Sequence, residues 1–172
     1  MTEQYWDGKN WLTKIETNEV TKYFLGKKLH RRDGPAKIWY YLNGKISMEF
    51  YYLGGLRHRK NNPTEICYYD NGLISRICYY YLNRIHREYG PAILEYNKDG
   101  ILKKEHYVNH GKYHRDDGIA VIHYDDGISI KNVEYYFNGK EINLEYLPFD
   151  MPIDTKEKEF FFKLRYGNVS EK

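Results

Sequence analysis

Residues 30–55 read HRRDGPAKIWYYLNGKISMEFYYLGG. In Lys45–Tyr52 the residues alternate, with Ile46, Met48, Phe50 and Tyr52 on one face; in the segment before it Ala36, Ile38 and Tyr40 share a face. A period of two is the mark of a β-strand with one buried side. Asn43-Gly44 separates the two segments and Gly54-Gly55 follows them. Both dipeptides tolerate the positive φ of a tight reversal, so the stretch predicts strand, turn, strand, turn. Asp33-Gly34-Pro35 precedes it, and proline has no ladder donor, which predicts a bulge or small loop at a sheet edge.

The pattern then recurs in steps of 28 residues. His-Arg returns at His30-Arg31, His58-Arg59, His86-Arg87 and His114-Arg115. One tyrosine column is Tyr23, Tyr51, Tyr79, Tyr107 and Tyr135; a second is Tyr40, Tyr68, Tyr96 and Tyr124. Ile38, Ile66, Leu94 and Ile122 form an aliphatic column beside Ala36, Thr64, Ala92 and Ala120. Turn dipeptides keep the register at Asn71-Gly72 and Asp99-Gly100, with Asp126-Gly127 one residue early, and again at His110-Gly111 and Asn138-Gly139, with Asn83 and Gly26 as the irregular copies. Independent columns in one register define a tandem repeat.

One hairpin per unit is the simplest reading: a strand before the Gly54-type turn and a kinked strand after it. Such a unit advances roughly 9–10 Å along the sheet at the usual strand spacing. A three-strand unit, with the Gly-Pro loop as a true reversal, is the alternative. Gly127 arrives one residue early although Tyr135 is in register, which predicts a bulge within residues 128–134. The organisation expected is a degenerate N-terminal hairpin cap over residues 1–22, a repeat array over 23–142, and a C-terminal extension over 143–172. Asp154 with Glu157 makes a helix start and Gly167 a stop, so a capping helix is expected over about 155–166. The fold class is all-β, an elongated twisted antiparallel sheet of about ten strands closed by that helix.

Composition agrees with a thin structure. Tyrosine supplies 20 of the 172 residues, yet the mean hydropathy is −0.83 with 30% charged residues. Tyrosine suits half-buried strands, because its ring packs while its hydroxyl stays wet. The formal charge of +3 permits contact with polyanions without demanding it. No apolar run approaches the roughly 18 residues of a membrane helix, and MTEQYWDGKNW lacks a secretory pattern. Two cysteines, Cys67 and Cys78, make no disulfide framework. An intracellular protein, neither secreted nor transmembrane, is expected.

Tyr51-Tyr52-Leu53, Asn138-Gly139-Lys140, His30-Arg31-Arg32-Asp33-Gly34-Pro35-Ala36 and Tyr40 with Asn43-Gly44 resemble MORN repeats. They look most like the longer variant found in large DNA viruses of amoebae and in some bacteria. The likeness covers roughly residues 20–142. Classical units are shorter and read His-Gly where this chain has His-Arg. The resemblance implies a sheet of successive hairpins and a role as scaffold, assembly or dimerisation module, in the cytoplasm of a cell or infected host, or in a virion. Membrane-lipid binding is also attributed to that family.

Two readings compete at the His-Arg column. In one, His30, His58, His86 and His114 with Arg31, Arg32, Arg57, Arg59, Arg87 and Arg115 line an edge suited to the phosphates of nucleic acid or acidic phospholipid. In the other, imidazoles pack on tyrosine rings and guanidiniums cover them by cation–π contact. Recurrence in every unit favours the structural reading, since each hairpin must solve the same packing problem. The tyrosine columns read in the same way as the spine of a thin sheet, with Tyr41, Tyr69 and Tyr80 left as candidate partner contacts. Successive histidines at 9–10 Å are too far apart to share a zinc ion, whose nitrogen ligands sit near 2.0–2.1 Å. Cys67 should face Arg76, leaving Cys78 on the diagonal, as packing residues. No acid/base constellation stands outside the repeating positions, so no catalytic residue, metal or cofactor is expected. The leading expectation is a non-enzymatic interaction protein that forms a homodimer, including by exchange of terminal hairpins, or binds another protein. Phe160, Phe161, Leu164 and Tyr166 are candidate end or partner contacts. Polyanion binding along the Arg/His edge is the alternative.

Overall fold

A computed structural model of the chain describes residues 1–59, 61–116 and 119–142. Among the described residues all regular structure is strand. In chain order the strands are β1 (Thr2–Trp6), β2 (Trp11–Glu16), β3 (Val20–Leu25), β4 (Lys28–Leu29), β5 (Lys37–Tyr40) and β6 (Ile46–Phe50). They continue as β7 (Tyr52–Leu53), β8 (Leu56–Arg57), β9 (Glu65–Tyr68), β10 (Ile74–Cys78), β11 (Tyr80–Tyr81) and β12 (Arg84–Ile85). Then come β13 (Ile93–Tyr96), β14 (Leu102–His106), β15 (Val108–Asn109), β16 (Lys112–Tyr113), β17 (Ile119–Tyr124), β18 (Ile130–Phe137) and β19 (Lys140–Ile142).

The main sheet is an antiparallel meander, β1-β2-β3-β5-β6-β9-β10-β13-β14-β17-β18-β19, with β4 on β3. Each unit therefore gives the main sheet two strands. The Gly-Pro loop is not a reversal: β7 pairs with β8 and β6 with β9, so β8, the loop and β9 run on in one direction. Short hairpins β7-β8, β11-β12 and β15-β16 branch off the edge as separate two-stranded ladders. Among the described residues the sheet has thirteen strands rather than about ten, because residues 1–22 form two full strands and the last hairpin adds β19. The helix expected over 155–166 lies outside the described residues.

Two turn types alternate along the chain, although both use Asn-Gly. At the main hairpin tips Gly44, Gly72 and Gly100 have φ of 79°, 91° and 80°. Their amides donate to Tyr41, Tyr69 and Asn97, three residues back. This is a three-residue loop closed by a left-handed glycine, and the Asn43 and Asn71 carboxamides accept from the amides two residues on. At the small hairpins both central residues are left-handed: Gly54-Gly55, Leu82-Asn83, His110-Gly111 and Asn138-Gly139. That is a two-residue turn matched to strand twist. The bulge expected within 128–134 is present at Lys131, but each unit has it: register also shifts between Trp39 and Tyr40 and between Glu95 and Tyr96. Gly127 has moved within a turn of unchanged length, since Asp125 still bonds Ser129 as Asn97 bonds Ile101.

Burial concentrates where the units join. Ala36, Thr64, Ala92 and Ala120 have no accessible surface. The amides of Tyr23, Tyr51, Tyr79 and Tyr107 bond their carbonyls in turn. Only small side chains fit a position so enclosed. Units are also tied at the tips. The Tyr41 and Tyr69 hydroxyls donate to the Tyr68 and Tyr96 carbonyls at 2.6 and 2.7 Å. At the opposite edge Gly55, Gly111 and Gly139 amides donate to Leu29, Ile85 and Tyr113 of the preceding hairpin.

Candidate functional site

The strand register divides the side chains into two faces. Thr21, Ile38, Glu49, Ile66, Ile77, Leu94, Glu105, Ile122 and Val133 form one row across the sheet, on the face of the repeating columns. On the other face run Lys22, Lys37, Phe50, Glu65, Cys78, Ile93, His106, Val121 and Glu134, a row in which no residue type recurs with the period.

The His-Arg motifs follow the small hairpins. Arg31, Arg59, Arg87 and Arg115 lie over the Tyr23, Tyr51, Tyr79 and Tyr107 rings at 4.2, 4.0, 4.0 and 4.2 Å. Arg31, Arg59 and Arg87 each also reach the carbonyl of the proline four residues on. One donor set thus locks the loop while the cation rests on an aromatic face. His30 is buried, accepting from the Gly54 amide through Nδ1 at 2.9 Å, with Nε2 3.5 Å from Asp7. Asp7 in turn accepts from the amides of Lys9 and Asn10. Burial works to raise its pKa, but those amide bonds and His30 outweigh it and hold the carboxyl below its ordinary range. Arg32 is exposed.

Between successive loops the edge opens into three equivalent clefts. The first, of about 130 Å³, lies between Arg31 and His58-Arg59; the second, about 330 Å³, between His58-Arg59 and His86-Arg87; the third, about 550 Å³, between His86-Arg87 and His114-Arg115. The second carries the densest set of rings. His86 and His110 stack at 4.1 Å, and Tyr81 meets His58, His86 and His110 edge-on at 5.3, 6.2 and 6.3 Å.

Arg57 does not join that edge. It lies on the non-repeating face, donating to buried Glu65 at 3.1 Å and to the Tyr52 hydroxyl at 3.0 Å. Arg76 holds the other Glu65 oxygen at 2.6 Å, and the Tyr80 hydroxyl donates at 3.4 Å. Glu65 stands where other units have Lys37, Ile93 and Val121. A buried carboxylate is stable only when paired, and here two guanidiniums supply the pairing. Cys67 faces Arg76 and Cys78 faces Glu65; both thiols are free and buried. Burial, with the Glu65 charge adding, pushes the Cys78 thiol up to about 12, so both cysteines are packing groups rather than nucleophiles.

Further along the same face, His123 and Glu134 make a 2.6 Å contact, and His106 lies 3.9 Å from Glu95. Burial depresses the His106 pKa, with Lys104 and His123 acting in the same direction and Glu95 and Glu134 against it. Among the described residues no group of three or more His, Cys, Asp or Glu is placed to hold a metal ion, and no helix is long and apolar enough to cross a membrane.

Tyr40, Tyr68, Tyr96, Tyr124 and Tyr135 are half-buried in the sheet. Tyr68 and Tyr124 donate to Glu49 and Glu105, and Tyr40 shares a hydrogen bond with Thr21. Tyr41 and Tyr69, candidate partner contacts by sequence, instead bind the next unit's backbone. Phe160, Phe161, Leu164 and Tyr166 lie outside the described residues. Sequence reasoning missed the Glu65 cluster and Asp7; the available signal was a lone acidic residue in a column otherwise basic or aliphatic. The chain matches no protein-family model, no curated protein and no solved structure.

Proposed function

We propose that the protein is a non-enzymatic scaffold of the MORN-like type, which works by self-association and by binding a protein partner through the ends and outer face of its sheet. The observation that carries this reading is the outer edge of β1, which among the described residues pairs no strand but β2. Met1 and Glu16 exchange backbone hydrogen bonds, and β1 pairs β2 without a bulge. By antiparallel alternation Thr2, Gln4 and Trp6 then direct their N–H and C=O groups away from β2. An unpaired edge of this kind is a template for a strand from another chain. Trp6 and Trp11, packed at 5.5 Å and both exposed, flank it with apolar surface. A second copy supplying its own β1 extends the sheet about a two-fold axis, the commonest closed arrangement.

Light scattering on the full chain at high micromolar concentration tests this. A dimer is expected, with Gln4→Pro reducing it to a monomer of unchanged circular dichroism, because that N–H points outward and its loss leaves the β1-β2 ladder intact. A wild-type monomer at that concentration contradicts the reading.

A further inference from the structure

The His-Arg edge repeats, but its electrostatic balance does not. In the first unit Asp33 accepts from Arg31 Nε at 2.8 Å, and the Tyr5 hydroxyl accepts from Nη2 at 2.9 Å. The guanidinium is neutralised where it stands. The position of Asp33 is taken by Asn61 in the next unit and by Tyr89 in the one after. Arg59 and Arg87 accordingly keep the tyrosine stack and the proline carbonyl and have no carboxylate within 4 Å among the described residues. These two arginines are the walls of the second cleft.

The same cleft gathers His58, His86 and His110, with Tyr79, Tyr80 and Tyr81 and a single acidic side chain, Glu88. Tyr81 and His110 are peculiar to their units: the equivalent positions hold Leu53 and Gly54 one or two units earlier. Non-repeating residues therefore converge on one copy of a repeating cleft. Two guanidiniums and three imidazoles face one another across about 330 Å³. Arginine is suited to phosphate oxygens, since its fork presents paired donors that remain charged at any working pH.

We propose that this second cleft binds the phosphate group of a phosphate ester, held between Arg59 and Arg87 with the His58, His86 and His110 imidazoles as further donors. The proposal goes beyond the scaffold reading and does not depend on it. It also narrows the edge-wide polyanion expectation to one place, because the first cleft carries its own counter-ion and the third is lined by two acidic side chains, Glu88 and Asp116, the latter 3.5 Å from His114. Burial and the stacked His110 hold His86 below the ordinary imidazole range, while Glu88 pulls the other way. A dianion in the cleft favours the protonated ring, so binding takes up a proton and tightens as pH falls.

Imidazole C–H chemical shifts of the full chain, followed by NMR during titration, test the proposal. The probes are inorganic phosphate, sulfate, glycerol 2-phosphate, and vesicles with or without a phosphomonoester headgroup. Saturable shifts are expected at His58, His86 and His110 with phosphate and sulfate, and none at His30. Sulfate stays a dianion throughout, so a tightening of about tenfold between pH 8 and pH 5.5 reports the imidazoles alone. The variant Asn61→Asp with Tyr89→Asp restores the missing carboxylates and leaves every arginine on its tyrosine. It should lose at least about tenfold in affinity at an unchanged unfolding midpoint. Asp33→Asn should open the first cleft to phosphate. Binding of glycerol 2-phosphate identifies a soluble ester as the source, and binding only to phosphomonoester vesicles identifies a headgroup; either supports the proposal. Absence of saturable shifts at every pH overturns it, as does a carboxylate variant that binds like wild type. Equal shifts at His30 also overturn it, because they restore the edge-wide reading. Dimerisation measured on the same variants should not change, which separates this outcome from the scaffold reading.

Discussion

The two faces of this sheet are made by the same strands and obey different rules. On one face tyrosine and aliphatic residues recur every 28 positions, and each unit buries its alanine or threonine and stacks its arginine in the same manner. On the other face Lys37, Glu65, Ile93 and Val121 occupy equivalent places, and each neighbourhood finds its own solution. Lys37 rests over Trp39 at 4.6 Å, Glu65 is clamped by two arginines, and His106 is buried beside Glu95. Repetition marks the joints between units, where geometry is identical. Variation marks positions the joints do not constrain, and those are where specificity can be placed.

That contrast can be broken experimentally, and the largest effect is expected on the repeating side. Ala92→Leu inserts three heavy atoms into a position with no accessible surface; overpacking there should cost about 3 kcal/mol, measured by urea denaturation. On the variable side Glu65→Gln keeps the shape but removes the charge between Arg57 and Arg76. A loss of about 1–2 kcal/mol is expected, moderated because both arginines are partly exposed. Leu82 adopts a φ of 47° in a small hairpin turn, a conformation that disfavours a branched side chain. Leu82→Gly should raise stability by about 0.5–1 kcal/mol, as the strain relieved exceeds the entropy added to the unfolded chain.

The smallest effect concerns pH. Burial depresses the His106 pKa, so the folded state prefers the neutral ring and protonation favours unfolding. Its stability contribution is complete above the ordinary imidazole value of about 6.5 and declines as pH falls toward the depressed one. The urea midpoint of the wild type should fall between pH 7 and pH 5 more steeply than that of His106→Leu.

Much of this was legible because hairpins are local. Strand alternation follows from counting residues around Asn71-Gly72, whereas two or three strands per unit stayed open, and the Cys67–Arg76 pair expected from a two-residue turn holds because the bulge at Ser75 offsets the extra residue of the loop. The dipeptide itself was ambiguous. Asn43-Gly44 and Asn138-Gly139 look alike, yet only the second is left-handed at both positions, because loop length rather than composition selects the turn. Arg57 lies two residues from Arg59 and reads as part of the same basic edge, but strand pairing sends it to the Glu65 carboxylate. The clefts were not legible, since the first and third are each assembled from three separate segments and the second from four. Their walls could be guessed; the missing counter-charge could be recognised only once Asp33 was seen against Arg31.

The central claim is that the repeating columns contribute more to the stability of the fold than the variable ones do. Urea denaturation of two double variants tests it directly: Tyr51→Leu with Tyr79→Leu, against Met48→Thr with Asn132→Thr. The tyrosine pair removes two arginine stacks and should cost about 2–4 kcal/mol, whereas the exposed pair on the other face should change stability by less than about 1 kcal/mol. Equal losses, or the reverse order, would contradict the account.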